Sequence, residues 1–140
     1  MIYNGYFRDI KDSLYTVRIT TKKGTVAKEI TLSDNPFVTE MDESDDTIYK
    51  PVKYQTATVE AISSDYMMDI YSATAQNTKV ELLKDKEIVW TGYATPCLYD
   101  MGFALVRESI QIECQDALST LQYFPYRQSD KQVRSFLYII

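Results

Sequence analysis

The segment Asp42-Glu43-Ser44-Asp45-Asp46 gathers four carboxylates, and carboxylate oxygens are what a hard cation such as calcium takes as ligands. The spacing does not complete a calcium loop. Counted from Asp42, the twelfth position is Lys53 where a bidentate glutamate belongs, and the turn glycine is missing. A solvated acidic loop is the plainer reading, and such a run also discourages edge-to-edge pairing of neighbouring strands. Glycoside hydrolysis needs two carboxylates flanking the bond to be cut. With 20 acidic residues some pair always exists, and no spacing here marks one as special.

The chain has no histidine, which removes Ser-His-Asp and Cys-His catalysis, histidine general bases and histidine zinc ligands from consideration. Cys97 and Cys114 are too few for a disulfide framework or a structural zinc site and read as ordinary, partly buried thiols. There is no P-loop, GxGxxG or CxxC pattern. The sequence therefore assigns no catalytic, cofactor-binding or metal-binding residue, and the chain is expected not to be an enzyme. Twelve tyrosines remain as candidates for ligand contact, since aromatic faces stack on sugar rings. Tyr3, Tyr6 and Tyr15 fall in the first two strand-like segments, and Tyr93 and Tyr99 follow Trp90. None stands apart from the strand pattern, so core, sheet-surface or interface roles explain them more simply.

The formal net charge is −5, opposite to what phosphate neutralisation requires, so neither nucleic acid nor an anionic membrane is an expected partner. No apolar run approaches the roughly 18 residues of a membrane helix, and Met1-Ile2-Tyr3-Asn4 does not open a secretory signal. At 140 residues, 45% hydrophobic and 25% charged, the chain fits one folded domain.

Positioning falls to β-strands. Residues 2–10 and 14–21 read as a hairpin, because Tyr15, Val17 and Ile19 alternate with polar neighbours and Lys11-Asp12-Ser13 is turn chemistry. A third strand is expected over 25–32, broken by Ser33-Asp34-Asn35-Pro36, and a short one over 37–41. Residues 54–62 alternate cleanly. Ser64 can cap a short helix over 65–71, where Tyr66, Met67, Ile70 and Tyr71 follow helical spacing. The clearest hairpin pairs 78–84 with 87–95, with Val80 and Leu82 on one side and Ile88 and Trp90 alternating opposite them. Asp85-Lys86 makes its turn without the usual glycine. Strands over 103–107 and 109–114 follow.

Beyond residue 114 the pattern becomes helical. Asp116 can cap a helix carrying Ala117, Leu118 and Leu121, which Pro125 stops. Ser129-Asp130-Lys131-Gln132 is a capping-box pattern, followed by an apolar stripe of Val133, Phe136, Leu137 and Ile140 at i, i+3, i+4 and i+7. Residues so apolar need somewhere to dock, on this domain's own sheet or on a neighbour. The expected architecture is mainly β, an antiparallel barrel or sandwich of about eight to ten strands. It carries a short inserted helix and two C-terminal helices, with residues 1–114 forming the β domain and 115–140 a helical segment packed on it or on a neighbour.

Four segments carry a family resemblance. They are Tyr6-Phe7-Arg8-Asp9-Ile10 with Leu14-Tyr15-Thr16-Val17; Pro36-Phe37-Val38-Thr39-Glu40 leading to Lys50-Pro51-Val52; Val80-Glu81-Leu82 with Val89-Trp90-Thr91-Gly92-Tyr93-Ala94-Thr95-Pro96; and 110–121 with its Gln115-Asp116-Ala117-Leu118 core. Together they resemble the N-terminal β-barrel part of tail and baseplate hub-like proteins from prophages of gut Bacteroidetes. The hairpin turns depart from that pattern, with Asp85-Lys86 and Asp12-Ser13 in place of Asp-Gly.

The resemblance implies a structural protein of the virion tail, made in the bacterial cytoplasm. Its partners would be other tail or baseplate proteins, with homo-oligomeric rings, often trimers, in the full-length context. The stripe Val133, Phe136, Leu137 and Ile140 is then the candidate interface. The alternative is a non-catalytic ligand-binding β module, such as a carbohydrate-binding domain using exposed tyrosines.

Overall fold

The structure is a computed structural model, and it describes residues 1–22, 24–41, 54–63, 67–96, 100–101 and 108–124. Nine strands form one sheet: β1 (Ile2–Arg8), β2 (Leu14–Thr21), β3 (Ala27–Glu29), β4 (Thr31–Met41), β5 (Gln55–Ser63), β6 (Thr78–Lys84), β7 (Glu87–Ala94), β8 (Asp100–Met101) and β9 (Glu108–Asp116). The order across the sheet is β3-β1-β2-β6-β7-β9-β5-β4, with β8 paired to β9. The chain is thus mainly β, as its alternating patterns and aromatic content indicate.

The two ends of that order, β3 and β4, are consecutive in the chain. β3 runs parallel to β1, the Ile30 N–H donates to the Asn4 carbonyl at 2.9 Å, and β4 then leaves to pair antiparallel with β5. One continuous run therefore joins the sheet's edges and rolls it into a single layer around its own core. Two expectations change. The described strands form one sheet and not a two-sheet sandwich, and it is mixed and not wholly antiparallel, because β1 and β3 pair in parallel.

Alternation fills the interior. Tyr3, Ile19, Val80 and Gly92 form one cross-strand row, and Gly5, Val17, Leu82 and Trp90 form the next. From β5 and β9, Val59 lies opposite Ile112 and Ala61 opposite Ile110, all at most 1% exposed. The glycines sit where bulk from elsewhere arrives. A Cβ on Gly92 would collide with the Trp90 ring and the Gln115 carbonyl. Trp90 meets Phe37 edge-on at 5.3 Å between ring centroids, which fixes β7 against β4 across the core.

Three local expectations are corrected. The break at Ser33–Pro36 is a register shift inside β4, between Leu32 and Phe37, where Pro36 has no ladder hydrogen bond to lose. The helix expected over 65–71 is, in its described part, a turn at Met67–Ile70. A segment so short cannot repay helix nucleation, whereas burying Met67 and Ile70, each 2% exposed, caps the rolled sheet. Tyr3 Oη donates to Asp69 Oδ1 at 2.6 Å and Thr78 Oγ1 to the Ile70 carbonyl at 2.9 Å, pinning that turn. The helix expected after Asp116 is only a 3-10 helix, Ser119–Tyr123, so no α-helix occurs among the described residues. Asp116 is not its N-cap, which is Leu118 without a side-chain cap bond, but Asp116 Oδ1 does accept the N–H of its first residue, Ser119, at 2.7 Å. The last expected helix and the strand over 103–107 lie outside the described residues.

Candidate functional site

The outer face of β1, β2, β6 and β7 carries an apolar row. Tyr6 lies opposite Thr16, Thr16 opposite Leu83, and Leu83 opposite Ile88. These residues point outward because Gly5, Val17 and Leu82, their neighbours in sequence, point into the core. Ile88 is 57% exposed, Tyr6 50% and the adjoining Leu14 39%, while Leu83 between them is covered at 6%.

A bulge creates this row. Ile88 and Trp90 are two residues apart and would share a face in a regular strand. The register shifts between Leu82 and Leu83, so Trp90 pairs with Leu82 and turns inward while Ile88 pairs with Leu83 and turns outward. Val89, the extra residue, is itself 52% exposed.

Turn chemistry holds this end of the sheet in shape. Asp85 and Lys86 both have positive φ, 46° and 78°, the conformation of a type I′ turn made without glycine. The Asp85 N–H donates to the Leu14 carbonyl at 3.0 Å, tying one hairpin tip to the start of β2. In the β1–β2 loop, Asp9 Oδ1 accepts the N–H groups of Lys11 and Ser13 at 2.8 and 2.9 Å, and Arg8 pairs with Asp12 at 3.0 Å. The Ser13 N–H, followed by that of Lys11 and the Lys84 charge, outweighs desolvation and holds the Asp9 carboxyl below its usual range. Beside the row, Glu81 is 8% exposed, and its charge is met by Lys79 Nζ at 2.7 Å and Arg18 at 3.8 Å.

Elsewhere on the surface the described residues form open grooves. One, of about 530 Å³, is lined by Tyr54, Thr56, Gln115, Leu118, Ser119 and Gln122, with Tyr54 44% exposed. Below it Asp116 ties three segments together, its Oδ2 accepting the Gln55 N–H at 2.8 Å and its Oδ1 the Ser119 hydroxyl at 2.7 Å. Partial burial raises the Asp116 pKa, but the Ser119, Gln55 and Leu118 donors outweigh it and leave the carboxyl below its ordinary value. Among the described residues, no group of three or more His, Cys, Asp or Glu is placed to hold a metal ion.

Cys114 is 1% exposed, and burial pushes its thiol far up, so it remains protonated and unreactive. Trp90 is a core anchor, although its Nε1 has no hydrogen-bond partner among the described residues. Tyr3 is buried, Tyr15 stacks on Phe7 at 5.1 Å, and Tyr6 stays open to solvent, so the tyrosines of the first hairpin form no shared platform. The candidate interface Val133, Phe136, Leu137 and Ile140, the acidic segment 42–46, Cys97 and Tyr99 all lie outside the described residues. No described helix is long and apolar enough to cross a membrane.

Sequence reading missed the outward row, because its parity follows from a bulge that no residue type announces. No family model matches the chain, and neither a curated protein nor a solved structure does.

Proposed function

We propose that this chain is a structural assembly component of a phage-derived tail or baseplate, a hub-like subunit that works through its surfaces and transforms no substrate. The observation that carries the reading is the group of exposed apolar side chains Tyr6, Leu14 and Ile88 around the covered Leu83 on the outer face of β1, β2, β6 and β7. Large side chains held outward by a bulge and braced hairpin tips are what an association surface needs. The family resemblance of the strand segments supplies the setting, with other tail or baseplate proteins as neighbours. Mass spectrometry of tail particles, purified from the organism that carries the gene, tests it. The chain is expected in stoichiometric amount, and its absence from such particles refutes the assignment.

One observation favours a second reading, a carbohydrate-binding module: exposed Tyr54 beside the Gln115 and Gln122 amides, which bond each other at 3.0 Å. An aromatic face flanked by amides suits a neutral sugar. A glycan array decides this, with binding abolished by Tyr54→Ala if the module reading holds.

A further inference from the structure

We infer that copies of this chain associate head to tail, the apolar row of one against the acidic outer face of β4, β5 and β9 of the next. This deepens the assembly reading by naming a partner and the surfaces that meet.

Charge is divided unevenly around the rolled sheet. Every described Lys and Arg belongs to β1, β2, β3, β6, β7 or the turns joining them, eight in all against six Asp or Glu. β4, β5, β9 and the 3-10 helix carry Asp34, Glu40, Glu60, Glu108, Glu113 and Asp116 with no Lys or Arg. The apolar row lies on the mixed half, and cations stand along it, Arg8 paired with Asp12 and Arg18 with Glu81. Arg8 follows Tyr6 on the same face of β1, Arg18 follows Thr16 on the same face of β2, and Lys86 sits in the adjoining turn. On the acidic half, Val38 and Glu40 point outward opposite Thr58 and Thr56, with Val38 43% exposed. Glu113 lies beyond Thr58 on β9, and Glu60 one outward position along β5.

This arrangement selects the mode of contact. A two-fold contact of the acidic half would set acid against acid, and one of the mixed half would set row against row and leave those acids unmet. A head-to-tail contact brings the cation-rimmed row onto the acids and leaves a fresh copy of each surface free at either end. The row supplies apolar burial, and the carboxylates supply direction.

The test uses the full 140-residue chain in sedimentation and light scattering, with two variants. Ile88→Asp disables the row, and E60K/E113K disables the acidic face. Both sets of positions lie on the sheet exterior, and circular dichroism checks that folding is kept. The wild type is expected to gain apparent mass with concentration and to associate at least tenfold more weakly when salt shortens the Debye length from about 10 Å to about 3 Å. Each variant alone should stay monomeric. Mixed in equal amounts they should form a one-to-one complex and nothing larger, because only one competent pair of surfaces remains.

A wild type monomeric at millimolar concentration overturns the inference. So do variants that fail to complement each other, self-association untouched by either change, or a row that binds only a different protein. Recovery of the chain from tail particles together with a monomer in solution would sink this inference and leave the assembly reading standing. Self-association of a chain absent from such particles would do the reverse.

Discussion

Leu32 occupies the space that a side chain on Gly5 would need. A Cβ placed on Gly5 would lie 2.6 Å from Leu32 Cγ and 2.7 Å from Cδ2, closer than any ordinary contact. The two residues meet where β4 leaves β1, so glycine there permits the sheet's edges to join. Gly5→Ala should destabilise the fold by about 1–3 kcal/mol, the usual range for overpacking. Leu32→Ala in the same chain should recover part of that loss. Urea unfolding of the double-mutant cycle measures the coupling, and simple additivity would show that the two do not compete for space.

Lys86 holds φ at 78° in the β6–β7 turn, where a side chain is strained and glycine is not. Lys86→Gly creates the Asp-Gly pair that type I′ turns favour. The gain is offset in part by greater freedom of the unfolded chain, so a net stabilisation of about 0.5 kcal/mol is expected. Thermal unfolding should show a rise of a few degrees. A fall would mean that Lys86 makes a contact worth more than the strain.

Asp116 governs part of the acid response. Its native pKa lies below the ordinary 3.8, so the unfolded chain binds the proton more tightly. The stabilisation is therefore complete above the ordinary carboxylate range and is lost as pH falls below 3.8 through the native value. Asn keeps one acceptor oxygen but cannot serve both Ser119 and the Gln55 N–H, so Asp116→Asn should cost about 1–2 kcal/mol at neutral pH. Its stability should also fall less steeply on acidification than that of the wild type. Urea midpoints between pH 7 and pH 3 compare the two, and parallel acid limbs would contradict the assignment.

Trp90 is the chain's single tryptophan and is 8% exposed, so its fluorescence should be blue-shifted in the folded state and move red on unfolding. Trp90→Ala removes the body that fills the interior beside Gly92 and against Phe37, with an expected cost of about 3–5 kcal/mol. Trp90→Phe also removes an indole N–H that has no described partner, which should recover part of that cost. Equal losses for the two variants would show that the ring's shape outweighs its polar group.

The hairpins were legible because their signals are local. Val17 and Ile19 alternate with polar neighbours, and Asp85-Lys86 falls between two alternating runs, so both turns and the inward face of β6 follow from residue types alone. The seam was not legible, because parallel pairing of β1 with β3 depends on where β4 must travel next. Met67 and Ile70 stand at helical spacing, yet they cap a sheet end as a turn, since periodicity cannot separate a helix face from two buried contacts. Pro36 reads as a stop, yet β4 absorbs it in a register shift. The outward row stayed hidden for the same reason as the bulge: one extra residue exchanges the faces of everything that follows it.

The pairing of β9 with both β7 and β5 sets the tempo of folding. The local hairpins β1–β2 and β6–β7 are able to form within about 1–10 μs, as isolated hairpins do. Among the described residues β9 is the strand that pairs with both β7 of the half containing them and β5 of the half containing β4. During synthesis the halves therefore wait, each with bare ladder groups, until the ribosome has released Glu108–Asp116. A nascent chain stalled before that point should engage chaperones, and completion of β9 should end the engagement.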